Sequence, residues 1–140
     1  MLSVDVDHTH AHEKCRQHEH IELLTCSSTN HSIVVPRIEQ LRQEYPGPVF
    51  AVLDSAHSKE HVLKELELLA PLLRRGDYVI VEDSDINGHP VMPSFGPGPW
   101  EAARAFMAKR PGFFTLDEER AAKFGWTAAT DGFLRVLAGG

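Results

Sequence analysis

Three acidic residues at the ends of two apolar runs, Asp54, Glu82 and Asp83, are where the residue types and spacing of this 140-residue chain could do chemistry. VFAVL leads into Asp54, and YVIV leads into Glu82 and Asp83. Asp54 lies 28 positions before Glu82 (82 − 54), room for a strand, a helix and a second strand. In a parallel pair both strands point the same way, about 4.8 Å apart, so carboxylates at their ends can share one oxygen-liking cation. Without a cation, converging carboxylates repel and raise one another's pKa. The all-oxygen donor set suits magnesium, manganese or calcium better than zinc. The plain alternative is that Glu82 or Asp83 caps a turn.

His57 follows Asp54 by three residues, at the start of the intervening helix. A neutral imidazole there can take a proton from a hydroxyl acidified by a metal, or it can be a structural hydrogen-bonder. His61 and His89 are lesser candidates. Asp5, at the end of an early strand, stands where nucleotide-binding α/β folds set an acid against ribose hydroxyls, with Asp7 as the alternative. His8, His10 and His12 alternate and fit either a transition-metal cluster or a polar surface loop.

The elements that must position these groups follow from periodicity. Leu2–Val6 predicts a short buried strand ending near Asp5, and Ile21–Thr25 a second strand. After the polar turn CSSTNHS, capped by Ser32 or Asn30, a helix carries Ile33, Val34, Ile38 and Leu41, with Pro36 in its first turn. Val49–Leu53, apolar without alternation, predicts a central strand covered on both faces. Ser58 is the expected N-cap of a helix with the stripe Val62, Leu66, Leu69, Leu73, ended by Gly76. Tyr78–Val81 is the next strand. Ser84–Pro99, dense in Gly and Pro, predicts a functional lid or surface loop. Pro99 opens a helix buried through Ala103, Phe106 and Met107. Phe113–Leu116 and Gly132–Leu137 are closing strands, with Lys123–Thr127 a third strand or a turn. This alternation predicts an open α/β sheet, mostly parallel, with an antiparallel member at its end.

The length fits one domain over 1–140. The hydrophobic content of 42% and charged content of 24% exclude a disordered chain. A net charge of −6 argues against a nucleic-acid surface and favours small-molecule partners. Two cysteines without CxxC spacing, Cys15 and Cys26, suit a reducing compartment, and no apolar run spans a bilayer. The acidic start MLSVDVDH is unlike a signal peptide, so the expected location is cytoplasmic.

LDSAHSKEHVLKELELLAPLLRRGDYVIVEDSDINGHPV, with the later FGPGPWEA, resembles the cephalosporin hydroxylase family, whose members have the class I methyltransferase fold and use S-adenosylmethionine. SVDVDH, LLTCSSTN and AAKFGWTAATDGFLRV extend the resemblance over nearly the whole chain, in the family's order. It implies a Rossmann-like α/β sheet with a C-terminal antiparallel hairpin, and O-methyl transfer to a small-molecule hydroxyl. The pattern from Asp54 through VEDS also resembles the metal site of the catechol O-methyltransferase type. Carried over, Asp54, Glu82 and Asp83 bind Mg2+ or a similar cation and His57 stands at the base position, where that type has a lysine. The resemblance also implies that Asp5 contacts the cosubstrate ribose, with Asp7 the alternative by position, and that Ser27 and Ser28 lie near its adenine; in a methyltransferase the loop Asn87–Pro99 would then shape the acceptor pocket. The resemblance implies that Asp54 is also among the cosubstrate-binding residues. No iron facial triad supports oxygen chemistry.

Relatives carry a glycine-rich strand, turn and helix before SVDVDH, and this chain begins after them. In the family's strand order, 3-2-1-4-5-7-6, that strand sits between those ending at Asp5 and Asp54. The expectation is therefore an N-terminally truncated domain in which the two neighbours pair directly, another chain supplies a strand, or the chain is a fragment. An open sheet edge there favours a homo-oligomer. Three functions follow: a metal-dependent O-methyltransferase, a non-catalytic remnant that binds metal and self-associates, or a metal-dependent hydrolase.

Overall fold

The computed structural model describes residues 1–138. The chain alternates strand and helix: β1 (Leu2–Asp5), α1 (Glu13–Arg16), β2 (Glu22–Thr25), α2 (His31–Glu44), β3 (Phe50–Leu53), α3 (Lys59–Leu69), β4 (Tyr78–Val81), α4 (Pro99–Lys109), β5 (Phe114–Leu116), α5 (Glu118–Ala122) and β6 (Phe133–Val136). A 3-10 turn, Ala70–Leu72, follows α3.

The strands form two sheets. β1 and β2 pair in parallel, and a four-stranded sheet runs in the order β3-β4-β6-β5. β3 and β4 are parallel, while β6 is antiparallel to both β4 and β5. The predicted single sheet is therefore divided: among the described residues β1 and β3 do not pair. The antiparallel member at the C-terminal end is present as expected.

α3 ties the two halves together. Val62 and Leu66 join Val79, Val81, Ala102, Phe106 and Leu134 in the main core, between the four-stranded sheet and helices α3 and α4. Leu68, with Leu72 just beyond α3, packs on Val34 and Val35 of α2, against which Val4 of β1 and Cys26 also lie. Phe106 is fully buried, with Phe113 and Phe114 at ring-centroid separations of 5.6 and 5.2 Å. Phe106→Ala is expected to cost about 3–5 kcal/mol, read as a lower denaturant midpoint, because it leaves an aromatic-sized cavity.

Several local expectations are corrected. β1 is half-buried rather than buried, since its sheet has only two strands. β3 is not covered on both faces: Phe50 is 64% and Val52 48% exposed, because β3 is a sheet edge whose Phe50 face is uncovered. Pro36 lies inside α2 rather than in its first turn, the helix starting at His31. Asn30 holds the N-cap position, although its side chain makes no capping bond and accepts from Ser32 instead. The helix holding Val62 and Leu66 ends well before Gly76, whose φ of +96° serves the turn into β4. Of the two alternatives for Lys123–Thr127, a strand or a turn, the turn is the one present.

Candidate functional site

The parallel β3–β4 register aligns Leu53 with Val81, so both strands end together. The Glu82 amide donates to the Leu53 carbonyl at 3.0 Å, carrying the ladder one step into the acidic pair. Asp54 and the Glu82–Asp83 pair thus emerge side by side. Asp83 has φ +50°, a left-handed conformation uncommon outside glycine but tolerated by Asp. The residues beyond it pin that turn: Ser84 Oγ donates to the carbonyls of Thr130 (2.8 Å) and Val81 (3.2 Å), and the Asp85 amide to that of Ala128.

On the other side Ser58 caps α3, its hydroxyl accepting from the His61 amide. The short connection Ser55–His57 then returns His57 toward the acids, with Nε2 3.3 Å from Asp83 Oδ2. Asp54, His57 and Asp83 each offer a ligand atom, and these atoms lie within 4.8 Å of one another. The two carboxylate oxygens can face one divalent cation, with the imidazole nitrogen beside them, placed either to ligate it or to take a proton from a group bound to it. Glu82 is outside this tight group but shares its field: burial pushes its carboxyl above the ordinary range, and the charges of Asp54, Asp83 and Asp85 push it further.

The Glu82 shift sets a pH dependence. A carboxyl whose pKa is raised on folding contributes stability below the ordinary glutamate range, and that contribution is lost as pH rises through the raised value. At neutral pH the charged Glu82 therefore opposes folding unless a cation offsets it. Mg2+ is expected to raise the melting temperature of the wild-type chain at neutral pH more than that of Glu82→Gln. Without metal, lowering the pH toward the raised value should narrow the stability difference between the two.

The loop from Ser84 to Gly98 folds back over this edge. The Lys59 amide donates to the Pro97 carbonyl at 3.0 Å, and a Cβ at Gly98 would stand 3.3 Å from the His57 carbonyl oxygen. Glu101, in the first turn of α4, holds the loop. It accepts from the Gly98 amide (2.7 Å), Asn87 Nδ2 (2.7 Å) and His89 Nε2 (3.1 Å), and His89 stacks on Trp100 at 4.0 Å. Burial pushes the Glu101 carboxyl up, but these hydrogen bonds outweigh it and hold the pKa at about 2. Glu101 is not among the sequence-predicted site residues. The available signal was a Glu three residues after the residue preceding a helix, the pattern by which a side chain reaches back to the cap amide.

The remaining sequence-predicted residues lie on the β1–β2 half. Asp5 ends β1, and its Oδ1 accepts from the Asp7 amide at 3.0 Å. Asp7 accepts from the Thr9 amide, which holds its carboxyl below the ordinary range. Ser27 bonds to Thr29, and Ser28 Oγ lies 3.0 Å from His61 Nε2. None of these four belongs to the Asp54–His57–Asp83 group.

The molecule is thus a mixed α/β protein with a carboxylate-rich centre where parallel strands end, under a loop braced by one glutamate. The chain belongs to the rhamnosyl O-methyltransferase/CmcI family, whose profile matches residues 1–137. It is 49% identical over 134 residues to a rhamnosyl O-methyltransferase of Mycobacterium tuberculosis (strain H37Rv), covering 96% of this chain and 54% of that protein. A rhamnosyl O-methyltransferase of Mycobacterium leprae (strain TN) is 48% identical, with 96% and 58% covered. The chain therefore spans little more than half the length of these relatives. No solved structure matches it significantly. No helix among the described residues is long and apolar enough to cross a membrane.

Proposed function

We propose that residues 1–140 form a partial class I methyltransferase-like domain that transfers a methyl group from S-adenosylmethionine to a small-molecule hydroxyl, assisted by a divalent cation. The observation that carries this reading is the convergence of Asp54, His57 and Asp83 at the carboxyl edge of β3 and β4, beside Glu82, in a chain of this family. A Rossmann-like arrangement is supported by the order β2-β1 and β3-β4-β6-β5, which matches the family order with one strand position open. The relatives' names suggest a rhamnosyl hydroxyl as the acceptor.

In this reading Asp54, Glu82 and Asp83 would hold Mg2+ or a similar cation, whose chemistry there would be polarisation of the acceptor hydroxyl. Asp83 orients the His57 ring, and His57 takes the hydroxyl proton. The acceptor oxygen then bonds to the methyl carbon as the carbon–sulfur bond breaks. Asp5 or Asp7 would contact the cosubstrate ribose, Ser27 and Ser28 its adenine, and Asp54 would border the cosubstrate as well. The loop held by Glu101 shapes the acceptor pocket and limits water. The setting is cytoplasmic.

Calorimetry with S-adenosylmethionine and its demethylated product, with and without Mg2+, tests the reading. Heat of binding is expected for both ligands, and its absence in every condition overturns catalysis by this chain. A second reading is a non-catalytic domain that self-associates, favoured by the edge position of β3 with Phe50 and Val52 exposed. Light scattering showing a stable dimer, joined to a null calorimetric result, selects it.

A further inference from the structure

The β1–β2 and β3-β4-β6-β5 sheets share no backbone ladder among the described residues, so side chains set their relative placement. Away from the carboxyl edge the seam is apolar, built from Val34, Val35, Leu68 and Leu72. At the edge it is polar and runs through one buried carboxylate. Glu65, 3% exposed, sits on α3 between the core residues Val62 and Leu66. Its Oε2 accepts from Ser55 Oγ at 2.8 Å, and its Oε1 lies 3.5 Å from His61 Nε2. That same nitrogen lies 3.0 Å from Ser28 Oγ. Ser55 follows Asp54 on the cation side, whereas Ser28 belongs to the turn after β2.

A carboxylate on a core-facing helix position is costly unless its oxygens are engaged, and those of Glu65 face the two groups that lead to the two loops. His61 alone among them reaches across: its backbone belongs to α3 and its ring to the β2 turn. We propose that His61 is a positioning residue that, steadied by Glu65, sets the Ser27–Asn30 turn against the Asp54–His57 connection and so aligns the cosubstrate side of the site with the cation side. The alignment of the turn is a property of the fold; its effect on cosubstrate affinity rests on the function proposed above.

Two measurements on the full chain separate these levels. Hydrogen exchange reads the turn directly, because the Asn30 amide is bonded to the Ser27 carbonyl at 2.9 Å. His61→Ala is expected to speed exchange at Ser28–Asn30 while leaving the α4 amides unchanged, and His61→Gln, whose side-chain amide can donate or accept, to restore most of the protection. In calorimetry His61→Ala is expected to weaken S-adenosylmethionine binding about tenfold, the scale of one lost hydrogen bond, and to leave Mg2+ affinity within about twofold. Unchanged exchange at the turn in His61→Ala overturns the proposal. So does equal loss in both variants with Mg2+ affinity falling in parallel, since that marks general loosening. If the wild-type chain binds no S-adenosylmethionine, the methyltransferase reading fails, and the exchange result alone decides the alignment.

Discussion

Asp54→Asn is expected to lower the affinity for Mg2+ or Mn2+ by about tenfold to a hundredfold and to remove methyl transfer, with the melting temperature of the metal-free chain nearly unchanged. Asp54 is exposed, so it contributes little to packing. Its carboxylate nevertheless belongs to the group whose ligand atoms lie within 4.8 Å, and an amide in its place keeps the shape while removing one full charge. Hard cations respond strongly to the number of charged oxygens around them. Two unit charges about 4 Å apart attract by about 4 kcal/mol at the effective dielectric of a protein surface, and solvent at this open site leaves only part of that. Each 1.4 kcal/mol retained is tenfold in affinity. Calorimetric titration with Mg2+ checks the loss. The same change also removes one of the charges that raise the Glu82 carboxyl, so metal-free Asp54→Asn should be slightly more stable than wild type at neutral pH.

Gly132→Ala is expected to cost about 2–4 kcal/mol, a large loss for adding one methyl group. Gly132 stands where the segment before β6 passes the end of β4, its carbonyl accepting from the Val81 amide at 2.9 Å. A Cβ there clashes with the Val81 carbonyl oxygen and lies 2.9 Å from Ser84 Oγ. The first neighbour is backbone, which no rotamer change can move aside. Relief requires shifting either the end of β4 or the Ala128–Gly132 turn, and both support Glu82 and Asp83. Denaturant unfolding should show the lower midpoint, and Mg2+ affinity should fall with it. Gly47→Ala is the control: nothing lies within 4 Å of a Cβ there, and a change within about 0.5 kcal/mol is expected.

These two positions mark what reading the sequence could and could not supply. The place of Asp54, Glu82 and Asp83 just beyond strand ends was legible because strand ends are local: a short apolar run closing on an acid states where the chain leaves the sheet. The Ser58 cap and the start of α4 at Pro99 were legible for the same reason. Gly132 was not, since its need for an absent side chain comes from Val81, far away in the chain. Glu101 as the brace of the Ser84–Gly98 loop and Glu65 as a buried link depend in the same way on partners brought near only by folding. The exposure of Phe50 and Val52 shows a further limit. An apolar run marks a strand suited to burial, but whether another element covers it is decided elsewhere. His57 lay between these cases: its distance from Asp54 in sequence was visible, while its approach to Asp83, on the neighbouring strand end, depends on the fold.

The most direct test of cation-assisted methyl transfer is a label-transfer assay using methyl-labelled S-adenosylmethionine and a soluble rhamnoside acceptor, run with Mg2+ and with excess EDTA. The expected result is label on the acceptor with Mg2+, loss of transfer in EDTA, and recovery when Mg2+ is restored. Transfer that persists unchanged in EDTA contradicts the cation's role, and no transfer to any hydroxyl acceptor with Mg2+ present contradicts the activity itself.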